Sequence, residues 1–173
     1  MKKFFLILIT LSGFLLTACS PLSHSMIHSR LDELNNSQAE KLAQNQLNEI
    51  RSAINAKDTE AIKTLFAPTV EDNINLDEGI SQLISLLYNR INLVEQLGGN
   101  EHDSNNYGDI ISTYTYDFSV TTEEMDYVLS ISGCNEDYRS SDNVGMTRIV
   151  VRPSSLKQYP DEIGDMGIYI YEQ

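Results

Sequence analysis

Apolar residues open the chain in one block, residues 4–16, interrupted only by Thr10, Ser12 and Gly13. A polar stretch follows, and a helical period then sets in over residues 31–56. There Leu42, Leu47, Ile50 and Ile54 recur broadly at i, i+4 and i+7 in a background of Ala, Gln, Glu and Asn, which predicts an amphipathic helix. Asn35-Asn36-Ser37, with Glu40 three residues after Ser37, form a capping-box pattern for its better-defined part. Lys57-Asp58 interrupts the period. Asp58 predicts the cap of a second helix through about Phe66, edged by Ala61, Ile62, Leu65 and Phe66 and stopped by Pro68. The third helix has the clearest stripe: Asn75 as cap, Glu78 three residues on, and Leu76, Ile80, Leu83, Ile84, Leu87, Tyr88 and Ile91 on one face.

The period then changes from helical to alternating, and Thr, Tyr, Val and Ile become enriched. Residues 93–97 predict a short strand, ended by Gly98-Gly99-Asn100 and a polar loop through Asn106. In residues 110–120 the even positions Ile110, Ser112, Tyr114, Tyr116, Phe118 and Val120 make a mostly apolar face, and the odd positions, Asp117 among them, a more polar one. The apolar face is expected to meet the helices. After a turn at 121–124, Tyr127, Leu129 and Ile131 alternate with Val128, Ser130 and Ser132 in the next strand of a hairpin. Residues 135–143 read as an acidic turn, 144–152 as a strand stopped by Pro153, and 167–171 as a short last strand or a mobile edge segment. Helices followed by an antiparallel meander predict an α+β fold.

The first apolar block follows Lys2 and Lys3 and is 13 residues long, short of the about 20 that span a bilayer. That is signal-peptide architecture. The residues behind it, Leu16-Thr17-Ala18-Cys19, resemble the bacterial lipoprotein box. The resemblance implies that Cys19 is joined to diacylglycerol and becomes the first mature residue, carrying acyl chains such as palmitate. Two chains hold stably where one holds only marginally, at about 0.8 kcal/mol per buried methylene. The expected organisation is a cleaved signal over 1–18, the lipidated Cys19 with a tether over 19–36, and one α+β domain over 37–173. The domain then sits on the extracytoplasmic face of the cell membrane.

Charge narrows the partners. Without residues 1–18 the chain carries 10 Lys and Arg against 25 Asp and Glu, a net charge of −15. Such a surface disfavours nucleic acid and anionic lipid, and steers cationic ligands or divalent ions. With Cys19 lipidated, Cys134 has no disulfide partner and is expected to pack in the interior.

Enzyme signatures are sparse. The chain has no G-x-S-x-G, P-loop, H-E-x-x-H or dinucleotide fingerprint. His24 and His28 lie four apart without a third ligand, and His102-Asp103 is half a dyad in a polar stretch. Asp117 and Asp126 are the other proton-transfer candidates. Asn135, Glu136, Asp137, Asp142 and Asn143 are oxygen-rich, but their spacing does not fit a calcium loop and Arg139 interrupts them. No metal or cofactor is expected.

The run Ile54-Asn55-Ala56-Lys57-Asp58-Thr59-Glu60-Ala61-Ile62-Lys63-Thr64-Leu65-Phe66 resembles the helix-turn-helix opening of nuclear-transport-factor-2-like domains, with Asp58 and Phe66 at the capping and core positions. The strand at 110–120 and the Gly145-Met146 strand start are similar to an uncharacterised family of Gram-positive lipoproteins placed in that superfamily. The resemblance implies a curved antiparallel sheet wrapped around helices as a cone. It also implies a pocket with Tyr88, Tyr114, Tyr116 and Phe118 as candidate lining. The expected role is a surface lipoprotein that binds a small ligand, a peptide or an envelope protein. The alternative is an extracytoplasmic enzyme of proton-transfer or hydrolytic type using the same pocket.

Overall fold

The computed structural model describes residues 22–71, 76–156 and 166–171, with side chains from Gln38 onward except that of Glu71. The chain divides into two compact units, residues 1–37 and 38–173. In the first, the backbone is helical from Leu22; the apolar block, Cys19 and the side chains of His24 and His28 lie outside the described residues. Helix α1, Leu22–Ala56, thus begins inside the stretch expected as a tether, and Asn35-Asn36-Ser37 lie within it instead of capping it. Asn and Ser cost a helix interior at most about 0.7 kcal/mol each, too little to break a helix sustained on both sides.

In the second unit α1 buries Ala39, Ala43, Gln46, Ile50, Ala53 and Ile54, while Leu42 and Leu47 are half-buried. Small residues carry much of this stripe, which leaves room for large side chains from the sheet. Lys57, at φ 54°, closes the helix. The N–H of Asp58 bonds Ala53 O at 2.9 Å and that of Lys57 bonds Ile54 O at 3.1 Å, the double bond that satisfies the last orphan carbonyls of a helix. Asp58 then caps helix α2, Thr59–Lys63, by accepting the Ala61 N–H at 3.0 Å. Helix α2 stops short of Phe66, because residues 65–67 pair with the start of β4. Ala67 N–H donates to Met146 O at 2.8 Å, and Met146 N–H to Leu65 O at 3.0 Å. Pro68 opens a further short helix, α3, Pro68–Glu71, at the one helical position where its missing N–H costs nothing. Helix α4, Leu76–Leu87, buries Leu76, Ile80, Leu83, Ile84 and Leu87; its expected cap, Asn75, lies outside the described residues.

The sheet follows: β1 Leu93–Asn106, β2 Asp109–Thr121, β3 Asp126–Asp137, β4 Gly145–Pro153 and β5 Gly167–Ile170, in spatial order β1-β2-β3-β4-β5. The first three pairings are antiparallel. The last is parallel, so the meander ends before β5. The 13 residues between Pro153 and Gly167 are long enough for the return that parallel pairing needs.

Strand β1 departs most from expectation. It continues to Asn106 through Gly98-Gly99, which form a bulge between Gln96 and Gly98 and not a turn. The turn comes after the polar stretch, at Tyr107 (φ 58°) and Gly108 (φ 99°), and positive φ at both positions marks the tight hairpin turn. Strand β3 likewise runs past Asn135 into the expected acidic turn. The core lies between the helices and the face of the sheet bearing Tyr114, Tyr116, Phe118, Val120, Leu129, Ile131 and Ile149.

Candidate functional site

The aromatic face is full. Tyr114, Tyr116 and Phe118 are 3%, 6% and 1% exposed and belong to the continuous core, so they do not line an open cone. Register explains how the two tyrosines fit: Tyr114 is the cross-strand partner of Gly133 and Tyr116 of Gly99. A Cβ on Gly133 would stand 2.2 Å from the Tyr114 hydroxyl, and one on Gly99 would stand 2.1 Å from the Tyr116 ring. Each tyrosine lies across the glycine opposite it, an arrangement that shields backbone a glycine leaves bare. Tyr88 packs against the core after α4, with Lys57 Nζ 4.0 Å from its ring centre.

A polar seam joins α1 to the β1–β2 hairpin. The Tyr114 hydroxyl donates to Gln46 Oε1 at 2.8 Å, and the Tyr116 hydroxyl donates to Glu101 Oε1. Gln96 Nε2 donates to Glu40 Oε1 at 3.0 Å, and Gln44 Nε2 to Gln96 Oε1 at 2.7 Å. Burial pushes the Tyr114 hydroxyl up to about 12 against the Gln46 bond. Burial, followed by Glu101, raises Tyr116. Burial also raises Glu101, opposed by the Tyr116 bond and helped by the charges of Asp103 and Glu40. Beside the seam is a small groove of about 210 Å³, lined by Gln44, Leu47, Asn48, Arg51, Val94, Gln96 and Phe118. A larger open groove of about 510 Å³ runs between α1 and α2, with Ala53, Ala56, Ala61 and Leu65 among its lining and Glu49, Ser52, Asp58 and Thr64 around them.

The hairpin is the most distinctive surface. Residues 91–138 contain ten acidic residues and no Lys or Arg. Within them β1 is the terminal strand of the sheet, with twelve of its fourteen residues exposed. Leu97 is 58% exposed, and Tyr107 at the tip is fully exposed. Leu97 and Gly98 form, with Asn100, Thr115 and Asp117, an open depression of about 440 Å³ at the bulge.

Among the described residues the remaining sequence candidates do not converge on a catalytic centre. Asp117 is half-buried on the face opposite the tyrosines, as the alternation predicts. His102 is exposed on β1, not in a loop, and Asp126 is exposed at the start of β3. Asp137 is buried, and its carboxylate receives Arg139 Nη2 at 2.6 Å, Arg139 Nε and backbone N–H at 2.9 Å, and Asn143 Nδ2 at 2.8 Å. Arg139, with Asn143, holds this carboxyl well below the usual range despite burial. These bonds close the turn before β4 and give the oxygen-rich cluster a structural role. Cys134 is buried, and burial, with Asp137, pushes its thiol up.

A family model described as "Domain of unknown function (DUF5104)" matches residues 49–158, which is 110 of the 173 residues. The chain belongs to that family. The DUF5104 match spans the end of α1, helices α2 to α4 and strands β1 to β4, and so includes the acidic hairpin and the tyrosine–glycine pairs. No curated protein matches the chain. The seam residues Gln44, Gln46, Gln96 and Glu101 were not singled out by sequence reasoning, because polar residues on a helix and an exposed strand resemble ordinary solvated positions. The absence of Lys and Arg over 91–138 was the available signal for the hairpin.

Proposed function

We propose that the chain is a lipid-anchored extracytoplasmic docking module of the bacterial surface, held by Cys19, whose domain engages a partner through its surface. The observation that carries docking is the filled interior. A cone acting on a small substrate needs space beneath its aromatic face, and here Tyr114, Tyr116 and Phe118 occupy that space as core. The order of helices before a largely antiparallel sheet is compatible with a nuclear-transport-factor-2-like cone, in which the concave face is closed by side chains. The anchor rests on Lys2, Lys3, the apolar block and the box ending at Cys19.

The enzymatic alternative draws on one group, Glu101, whose raised carboxyl is the kind of proton donor such chemistry uses. Its hydrogen bond with Tyr116 favours a structural role in the seam. The anchor is tested by metabolic labelling with an alkyne fatty acid in a bacterial host. The wild-type chain is expected to be labelled and retained by membranes. Cys19→Ala is expected to lose label and to keep the precursor mass or be released. Undiminished labelling of Cys19→Ala would overturn the anchor.

A further inference from the structure

Strand β1 offers backbone as well as charge. We propose that the outer edge of β1 accepts an extended segment of a partner polypeptide, with Lys or Arg at alternate positions, as a sixth strand; this rests on the docking reading and names its partner chemistry.

The geometry begins with the tight turn at Tyr107-Gly108. In a two-residue hairpin the flanking pair, here Asn106 and Asp109, bonds across the ladder. Counting back, Asn105, Asp103 and Glu101 direct their N–H and C=O away from β2. From Gly98 to Asn106 the register with β2 is unbroken, so these groups form a regular template on which another strand can be laid. Natural edges are commonly blocked by lysine, proline, shortness or a covering element. Strand β1 has fourteen residues, no Lys and no Pro, and no further strand lies beyond it among the described residues. Its one irregularity, the Gln96/Gly98 bulge, lies toward its start and leaves the Gly98–Asn106 stretch in regular register.

Charge selects the occupant. Glu101, which also accepts the Tyr116 hydroxyl, and Asp103 lie on the tyrosine face of the hairpin, Glu95, Asp109 and Asp117 lie on the opposite face, and neither strand carries Lys or Arg. A second copy laid along β1 would set these acids against the same acids, on a chain of net charge −13, and like charges across a strand pair are destabilising. The same pattern attracts a basic segment. Glu101 and Asp103 are two apart and share one face, so a partner strand with cations two residues apart meets both. The depression formed by Leu97, Gly98, Thr115 and Asp117 lies on the outer face and gives an apolar side chain of the partner a seat.

The test uses the full chain in detergent micelles and a fluorescent peptide of about ten residues that alternates Lys with Val or Thr, within the usual range of strand lengths. Saturable binding is expected, weakening from low salt to ~150 mM. The same peptide N-methylated on alternate backbone amides keeps its charge but loses its edge hydrogen bonds, and is expected to bind at least about tenfold more weakly. Asp103→Pro, a substitution an edge strand tolerates where its N–H faces outward, is expected to weaken binding more than Asp103→Asn does, with the melting curve of the wild type. Should Asp103→Pro fail to fold, the N-methylated peptide on wild-type protein decides. Equal binding of the two peptides, no binding at low salt, or a concentration-dependent dimer abolished by Asp103→Pro would overturn the basic segment as the occupant of this edge. Failure of the peptide with Cys19 labelling intact removes strand addition alone; loss of labelling with peptide binding intact removes the anchor alone.

Discussion

Gly133 sits opposite Tyr114 and beside Gly145, and a methyl group there would meet both the tyrosine hydroxyl at 2.2 Å and the Gly145 carbonyl oxygen at 2.8 Å. Neither obstacle is the free end of a flexible side chain, since the hydroxyl is held by Gln46. Gly133→Ala is therefore expected to destabilise the domain by about 1–3 kcal/mol, the usual cost of overpacking, measured by denaturant or thermal melting. Asp137 gives a pH dependence with a definite sign. Arg139 and Asn143 hold its folded carboxyl below the unfolded value of about 3.9. Its contribution is thus complete above about pH 5 and lost as the pH falls below about 4 toward the lowered folded value. Melting temperatures between about pH 7 and 3 should fall less steeply for Asp137→Asn than for the wild type. The residues involved were visible in the sequence as an oxygen-rich cluster interrupted by Arg139. What the sequence left open was that this arginine takes up the carboxylate's oxygens and makes the cluster a turn lock.

Among the elements, α4 and β2 were legible because their burial follows one clean period. Leu76, Ile80, Leu83, Ile84 and Leu87 carry the helical stripe, and Tyr114, Tyr116, Phe118 and Val120 the alternating face. Asp58 was legible for a different reason, as a short polar side chain at a cap position, and it caps α2 as expected. Strand β1 was not legible beyond Leu97. An edge strand exposed on both faces has no burial period to write into its sequence, and Gly98-Gly99 suit a bulge and a turn equally well. The parallel β5 was hidden because a strand's own residues do not reveal its direction. Helix α4 also meets β5 closely: a Cβ on Gly79 would lie 2.9 Å from Ile168 Cβ, an atom fixed to the backbone. In an open helix Gly→Ala gains about 1 kcal/mol. At this contact the overpacking cost of about 1–3 kcal/mol outweighs that gain, so Gly79→Ala is expected to lower the melting temperature.

At the scale of the molecule, the α+β order and the acidic character were both readable from the sequence, whereas the distribution of charge had to be seen on the fold. Eight of the ten acids of residues 91–138 fall on strands β1 to β3 and two in the turn between β2 and β3, and none of these elements carries Lys or Arg. The aromatic residues that suggested a pocket instead close the interior, since an alternating aromatic face serves a core and a cavity equally well until its partners are known. With the interior closed, docking is expected on the surface at β1 and not within the fold. Site-specific photo-crosslinking in cells tests this most directly, with the reactive side chain placed at His102 or Asn105 on β1, and at Ser52 or Thr64 in the α1–α2 groove. Cross-links from β1 to another polypeptide, suppressed by added salt, are expected, with little from the groove. Silent β1 positions alongside strong cross-links from Ser52 or Thr64 would contradict it.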